Sequence, residues 1–480
     1  MAWLKDKQEG EMKMPKLAQL MGLLVFGCAL MGAPALVLGG MTDLGTLGGS
    51  SSTAYGINDL GQIVGNSLNT DDDEAHAFLY SGGTMHDLGT LGGTWSIAYA
   101  INNSGQIVGV SRMADKTYHA FLYTGVPGVD GVMHDLGAMG GPRSDARAIN
   151  SSGQIAGYFV VPGGYGETRA FLYTGFPGVD GVMHDLGNLG GVWDSSIALG
   201  INDNGVIVGS SGTGAETHAM LYTGFPGVDG VMHDLGTLGG PFSQASAINS
   251  SGQIVGAFQN AEGSYHAFLY TGFPGAGGVM HDLGILGGGV GNSYAYGIND
   301  NGVIVGESDI GSGPHIYETH AFQYVGVPGA GGAMYDLGTL AADNFFNSGA
   351  RAINNTGQIV GWSMINANPQ TYHAFLNGSA SKVDLETLGG GTSEAWGIND
   401  LGQIVGNSAI AGDQWICHAF LYDRGAMKDL GTLGGPWSRA FAINKKGQIV
   451  GDAQNAANQY RAFLYNPSQS PAAINLLLLD

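Results

Sequence analysis

Ser52-Thr53-Ala54-Tyr55-Gly56-Ile57-Asn58-Asp59-Leu60-Gly61-Gln62-Ile63-Val64-Gly65 is the stretch that decides the fold. It has period two. Ala54, Gly56 and Asn58 fall on one side of an extended strand and Tyr55 and Ile57 on the other, so one surface is small and the opposite one bulky. Asn58 to Gly61 reads as a tight turn, because an Asn side chain bonds its own backbone two residues on and Gly tolerates positive φ. Gln62 to Gly65 is the return strand. The small face suits a crowded inner strand.

Outward from this hairpin, His76 to Tyr80 is a third strand, Ser81-Gly82-Gly83-Thr84 turns it, and Met85 to Gly89 is a fourth. The whole unit then recurs. Met-x-Asp-Leu-Gly begins at Met41, Met85, Met133, Met183, Met232, Met280, Met334 and Met427, with a variant at Lys382-Val383-Asp384-Leu385-Glu386, at spacings of 44 to 54 residues. Nine copies run from Met41 to Tyr465. Tight hairpins inside each copy disfavour a parallel β-helix, and four meandering strands per copy match a propeller blade. The expected fold is therefore all-β, a β-propeller of four-stranded antiparallel blades with about nine repeats. An open β-repeat array is the alternative, since propellers typically carry four to eight blades. Ring closure has two candidates, the Met41 strand pairing with the last blade and Ala472-Ala473-Ile474-Asn475-Leu476 acting as a worn fourth strand.

Composition narrows the class. Of 480 residues 86 are Gly without a three-residue period, which excludes collagen, and 44% hydrophobic content excludes a disordered acidic tail. A net charge of -22 argues against a nucleic-acid partner. Lys13 and Lys16 precede an uncharged stretch from Leu17 to Thr42, the layout of an export signal. Ala33-Pro34-Ala35 supplies a cleavage site, giving a signal peptide over 1-35 and one repeat domain over 36-480. An uncleaved N-terminal anchor and lipidation of Cys28 stay open. After signal removal no membrane span is expected, and Cys417 is the one remaining thiol, read as a strand residue.

The third strands carry His76-Ala77-Phe78, His119-Ala120-Phe121, His266-Ala267-Phe268, His320-Ala321-Phe322, His373-Ala374-Phe375 and His418-Ala419-Phe420. With the Asp-Leu-Gly and Ile-Asn-x-x-Gly-Gln-Ile-Val-Gly segments, this resembles the HAF-repeat family of probable extracellular bacterial proteins over nearly the whole mature chain. The resemblance implies a secreted, periplasmic or surface location and a repeat fold. It carries no reaction, so no catalytic residues transfer.

Every copy also carries Ser and Asp, and usually His, the residue types of a Ser-His-Asp hydrolase. Asp43, Ser52 and His76 stand in the first, Asp87, Ser96 and His119 in the second, Asp234, Ser243 and His266 in the fifth. Repetition speaks for a structural hydrogen-bond network instead, and Arg169 and Arg461 replace His in two copies, where an arginine donates but cannot act as a base. No metal site is expected. His315 to His320 lacks zinc-motif spacing, and the cluster Asp71, Asp72, Asp73 and Glu74 is at most a weak Ca²⁺ site, without the glycine of an EF-hand loop.

Function is expected where copies differ, because shared packing does not fix those positions. Strand alternation puts the variable second-to-third-strand loops and the Leu-Gly-Gly segments at one end of the ring. That end gathers Trp95, Arg112, Trp193, Phe242, Asn260, His315, Tyr317, Glu318, Phe345, Phe346, Asn366, Gln414, Trp415 and Trp437, aromatics and amides suited to a glycan, a matrix polymer or an envelope protein. The leading expectation is a non-catalytic exported binding or scaffold protein. A glycan hydrolase or lyase with hub carboxylates, such as a converging Glu307 and Glu318, is the alternative.

Overall fold

The computed structural model describes residues 40–467 apart from 72–73, 191–193, 274–275, 311–317, 342–345, 368–369 and 379–380, and the side chain of Gln414 also lies outside the described set. The signal segment 1-35 and the alternative closing strand 472–476 are outside it too.

In the first copy β2 (Gly48–Ile57), β3 (Ile63–Asn69), β4 (Ala75–Ser81) and β5 (Thr84–Gly89) form one antiparallel sheet in sequence order. The same meander repeats in every later copy, and the chain is an all-β propeller of nine blades among the described residues. Single parallel register pairs, Thr217 with Phe242 and Tyr372 with Thr392, additionally join blade 4 to blade 5 and blade 7 to blade 8.

Closure uses the N-terminal strand. The last copy supplies β34 (Gly434–Ile443), β35 (Ile449–Asn455) and β36 (Tyr460–Tyr465), and β1 (Met41–Asp43) adds the fourth strand antiparallel to β36, with Met41 opposite Tyr465. An apolar cluster follows the same seam: Leu44, directly after β1, and Ala54, Ile63 and Phe78 of the first blade pack with Val450 and Ala462 of the ninth. The core is thus a circle of interblade clusters. Between blades 1 and 2, Val64, Ala77 and Leu79 meet Ala98, Ile107 and Phe121.

Strict alternation along the inner strand does not hold. Ala54 pairs with Gly65 and Gly56 with Val64, so Tyr55 is an extra residue in a β-bulge. The sequence reading placed Tyr55 on one side with Ile57; the bulge instead leaves it unpaired and re-aims its side chain. Every inner strand has this bulge, at Tyr99, Arg147, Leu199, Ser246, Tyr296, Arg351, Trp396 and Phe441. Gly65 explains part of the pattern. A Cβ at this position would fall inside the van der Waals envelope of the Thr53 carbonyl oxygen and against the Phe78 ring, so only glycine lets the inner strand fold over its partner.

Candidate functional site

The repeated Ser, Asp and His form clasps between blades. His76 Nδ1 lies 3.0–3.1 Å from both Asp87 oxygens, and Asp87 Oδ1 accepts the Gly89 N–H at 2.7 Å. The Gly89 carbonyl accepts Ser96 Oγ–H at 2.7 Å, and Ser96 Oγ in turn accepts the Ala77 N–H at 2.8 Å, which closes the circuit back to the neighbour of His76. The grouping by copy suggested by the sequence is therefore off by one. His119 meets Asp135 rather than Asp87, Asp234 and Ser243 serve His218 and Ala219, and His266 meets Asp282. Asp43 and Ser52 complete the ninth clasp with Gly45 and Ala462, where Arg461 donates to Thr46 Oγ1 at 3.3 Å. Each clasp serine is buried with both its hydrogen-bonding roles spent on backbone, so it is no nucleophile.

A second repeated network rings the hub. Asn58 Oδ1 accepts the N–H groups of Leu60 and Gln62, while its Nδ2 donates to Gln62 Oε1 and to the Asn102 carbonyl of the next blade. The relay continues from blade to blade and returns from Asn444 to the Asn58 carbonyl at 3.0 Å. It is interrupted at Asn202, whose Nδ2 is buried without a partner, although Asn299, which like Asn202 is followed four residues on by valine rather than glutamine, keeps its bond to the Asn354 carbonyl. The sequence showed the Asn turns but not this interblade bond. Around the mouth, the Ile-Asn-x corners enclose a cavity of about 980 Å³. Its rim carboxylates already have neighbours: Asp59 accepts Asn103 Nδ2 and Asp203 accepts the Ser151 N–H.

Beyond this mouth the bulged residues of the inner strands vary among Tyr, Arg, Leu, Ser, Trp and Phe from blade to blade. Tyr55, Trp396 and Phe441 are 44%, 45% and 41% exposed. Tyr55 lies against Tyr99 at 6.3 Å, and the Arg147 guanidinium sits 4.6 Å over the Tyr99 ring. Across blades 6 to 8, Arg351 lies between Tyr296 at 5.7 Å and Trp396 at 5.6 Å and donates to Glu394 at 3.4 Å. The Tyr296 hydroxyl donates to Glu307 at 2.7 Å, and Trp396 Nε1 to Asn407 at 2.6 Å. Burial pushes the Glu394 carboxyl up against the opposing pull of Arg351. Burial, then Glu307, pushes the Tyr296 hydroxyl up as well. These wall residues were missed from sequence, because an unrecognised bulge hid that one variable position per copy faces the hub.

The variable-end residues fall on several blades. Trp95 packs edge-on against Tyr118 at 5.7 Å, and Arg112 pairs with Glu74 at 3.5 Å. Phe242 packs edge-on against Tyr265 at 5.8 Å. Asn260 Oδ1 caps its own turn through the N–H groups of Glu262 and Ser264. Trp437 and Glu318 are half-buried and Asn366 is exposed, while Trp415 is 72% exposed. Glu307 lies opposite Ala321 in its ladder, and Glu318 is three positions away, past the end of that strand. Trp193, His315, Tyr317, Phe345, Asp72 and Asp73 lie outside the described residues, as does the Gln414 side chain. Of the acidic cluster, Asp71 takes part in a turn through Asn69 and Glu74 is held by Arg112.

Two of the variable-end contacts continue to the hub. From Phe242 and Tyr265 the rings run on through Tyr294, stacked on Tyr265 at 5.8 Å, to Tyr296, parallel to Tyr294 at 6.5 Å. From Trp95 and Tyr118 the path passes Arg143, 5.4 Å over Tyr118, then Asp145, then Arg147 at the wall.

No family model matches the chain, and no curated protein matches it. Among solved structures, the chain is similar to the β-propeller domain of the Trilobed protease from Pyrococcus furiosus, described as having an open velcro topology. The identity is 10% and the TM-score 0.37, over 71% of this chain and 97% of that one. It is also similar to an acylaminoacyl peptidase from Pyrococcus horikoshii at 9% identity and a TM-score of 0.34, over 86% of this chain and 59% of that one.

Proposed function

We propose that this chain is an exported, non-catalytic binding protein of the HAF-repeat type that engages a glycan, a matrix polymer or an envelope protein outside the cytoplasm. The observation that carries the reading is the division of labour among its polar residues. The repeated Ser, Asp, His and Asn side chains are consumed in holding blades together, whereas the unrepeated aromatic, arginine and carboxylate residues gather on the inner strands and continue toward the variable loops. Chemistry that differs at equivalent positions of one scaffold is free to serve a ligand. Screening the purified protein on glycan arrays and envelope extracts tests the role: retention of a defined component supports it, and binding to none removes it. Recovery of the protein outside the cytoplasm, with a new N-terminus at Leu36, tests export.

A second reading, cleavage of the same polymer, is favoured by one observation. Glu394 is a carboxyl raised by burial, and Glu307 is a second hub carboxylate, on the opposite side of Arg351 in blade order. A buried, raised carboxyl paired with a second carboxylate is the pattern used to cleave a glycosidic bond. Release of reducing ends or unsaturated products that disappears in Glu394→Gln would establish it.

A further inference from the structure

We infer that the aromatic track from Phe242 to Trp396 is the seat of a neutral polysaccharide strand, lying from the loop-bearing end of blade 5 into the hub at blade 8. This rests on the binding role above and names its ligand class.

The track is continuous. Phe242, Tyr265, Tyr294 and Tyr296 follow one another at 5.8, 5.8 and 6.5 Å, and Arg351 bridges from Tyr296 to Trp396 in steps of 5.7 and 5.6 Å. An extended chain presenting ring after ring matches a line of π-surfaces better than a compact metabolite does, because aromatic side chains bury large flat areas at little cost in side-chain freedom. Beside the rings stand groups that suit hydroxyls. Glu307 and Glu394 each accept one wall bond, Asn407 bonds Trp396 and the Cys417 side chain, and all three keep further lone pairs or N–H groups for a ligand. Gly349 keeps the wall open at this point, since a Cβ there would press on both the Glu307 carboxylate and the Trp362 indole. The Trp362 Nε1–H is a buried donor without a partner, which a ligand oxygen would satisfy.

Charge decides between neutral and acidic polymers. Along the track the Arg351 guanidinium is matched by Glu394, Glu307 is an uncompensated carboxylate, and the chain as a whole carries -22. A polyanion would meet no free cation here and a repulsive field around it. A neutral sugar chain has neither problem.

The test is a calorimetric and tryptophan-fluorescence titration of the intact protein with a soluble mixed-linkage β-glucan, a galactomannan, polygalacturonate and a mixed peptide library. Variants Trp396→Ala and Phe242→Ala probe the two ends of the track, and Tyr335→Ala, exposed on the outer strand Ala333–Asp336 and off the track, is the control. Circular dichroism melts confirm that each variant is folded. The expected result is binding of a neutral polymer, with affinity falling tenfold or more in Trp396→Ala and in Phe242→Ala and unchanged in Tyr335→Ala. Selective binding of polygalacturonate, or a loss confined to Tyr335→Ala, overturns the track while leaving a binding role intact. Peptide binding without glycan binding overturns the ligand class alone. No binding of any probe defeats both.

Discussion

His76 donates from Nδ1 to Asp87, although Asp87 opens the next copy of the sequence repeat. The carboxylate can only accept, so the proton of that bond belongs to the imidazole. This one relationship shifts the structural unit against the sequence unit: the fourth strand of each blade is written at the start of the following copy. The chain must then return its first strand to its last blade, which is what β1 does on β36.

Ser96→Ala tests the clasp. Ser96 Oγ is fully buried and holds the Ala77 N–H and the Gly89 carbonyl together. Alanine leaves a buried backbone donor and acceptor without partners, at a cost of about 1–3 kcal/mol. Urea unfolding is expected to show that loss, whereas Ser246→Ala, at an exposed bulge of an inner strand, is expected to leave the midpoint in place.

The clasps also set a pH window. The hydrogen bond to Asp87 raises His76 against the lowering effect of burial. Its contribution is complete below the ordinary histidine value of about 6.5 and fades as pH rises through the higher folded value. Burial alone would raise the Asp87, Asp135, Asp336, Asp384 and Asp429 carboxyls, but their histidine and backbone hydrogen bonds hold them below the usual range. That contribution is present above about pH 3.9 and is lost as pH falls through the lower folded values. His184 and His233, lowered by burial, cost stability as pH falls below the ordinary value of about 6.5. Urea midpoints measured from pH 3.5 to 8 should therefore peak at about 6.5 and fall on both sides, with a shallower alkaline decline in His76→Gln.

Gly65→Ala is expected to be far costlier than Gly83→Ala. At Gly83 the φ of +87° is the whole objection, since nothing lies within 4 Å of a new Cβ; the left-handed backbone costs roughly 1 kcal/mol. At Gly65 the new carbon collides with backbone, which cannot rotate away, and about 3 kcal/mol is expected. Paired denaturation curves of the two variants check the order.

Cys417 should react slowly. Burial pushes its thiol up, so little thiolate exists near neutral pH. With Cys28 replaced by Ser, iodoacetamide labelling at pH 8 is expected to lag free cysteine and to catch up in urea. Labelling at the free-thiol rate in the folded protein would mean that the strand carrying it opens readily.

Much of this was legible before any coordinates. The Asn-x-x-Gly turn and the small-bulky alternation specify a hairpin because turn chemistry and strand period are local properties, and four strands per copy lead to blades. Tyr55 was placed wrongly because a bulge depends on the Gly65 partner across the ladder, a contact between strands that period-two reading does not include. The clasp residues were recognisable by repetition and wrongly grouped, since a copy cut at Met-x-Asp-Leu-Gly assigns Asp43 to His76 and leaves Asp87, only 11 residues away, to the next copy. Trp396 and Arg351 carried no motif at all. They become a candidate site only when blades from distant parts of the chain share one hub.

The seam between blades 1 and 9 is the last expectation. Only there is a blade completed by a strand from the other end of the described chain: Leu44 N–H bonds the Ala462 carbonyl at 3.0 Å, and the Leu44 side chain enters the cluster with Val450 and Ala462. Leu235 holds the equivalent place between blades 4 and 5, buried to a similar degree. Truncating either leucine to alanine removes similar contacts, costing about 2–4 kcal/mol. The consequences differ, because an internal seam is also held by a covalent link from one blade to the next, whereas β1 can peel from β36 and expose an unpaired strand edge. Hydrogen exchange of the Thr42 and Leu464 amides, which face each other across β1 and β36, is expected to accelerate in Leu44→Ala and not in Leu235→Ala. Equal acceleration in both variants would show that the ring opens without preference for its closing strand.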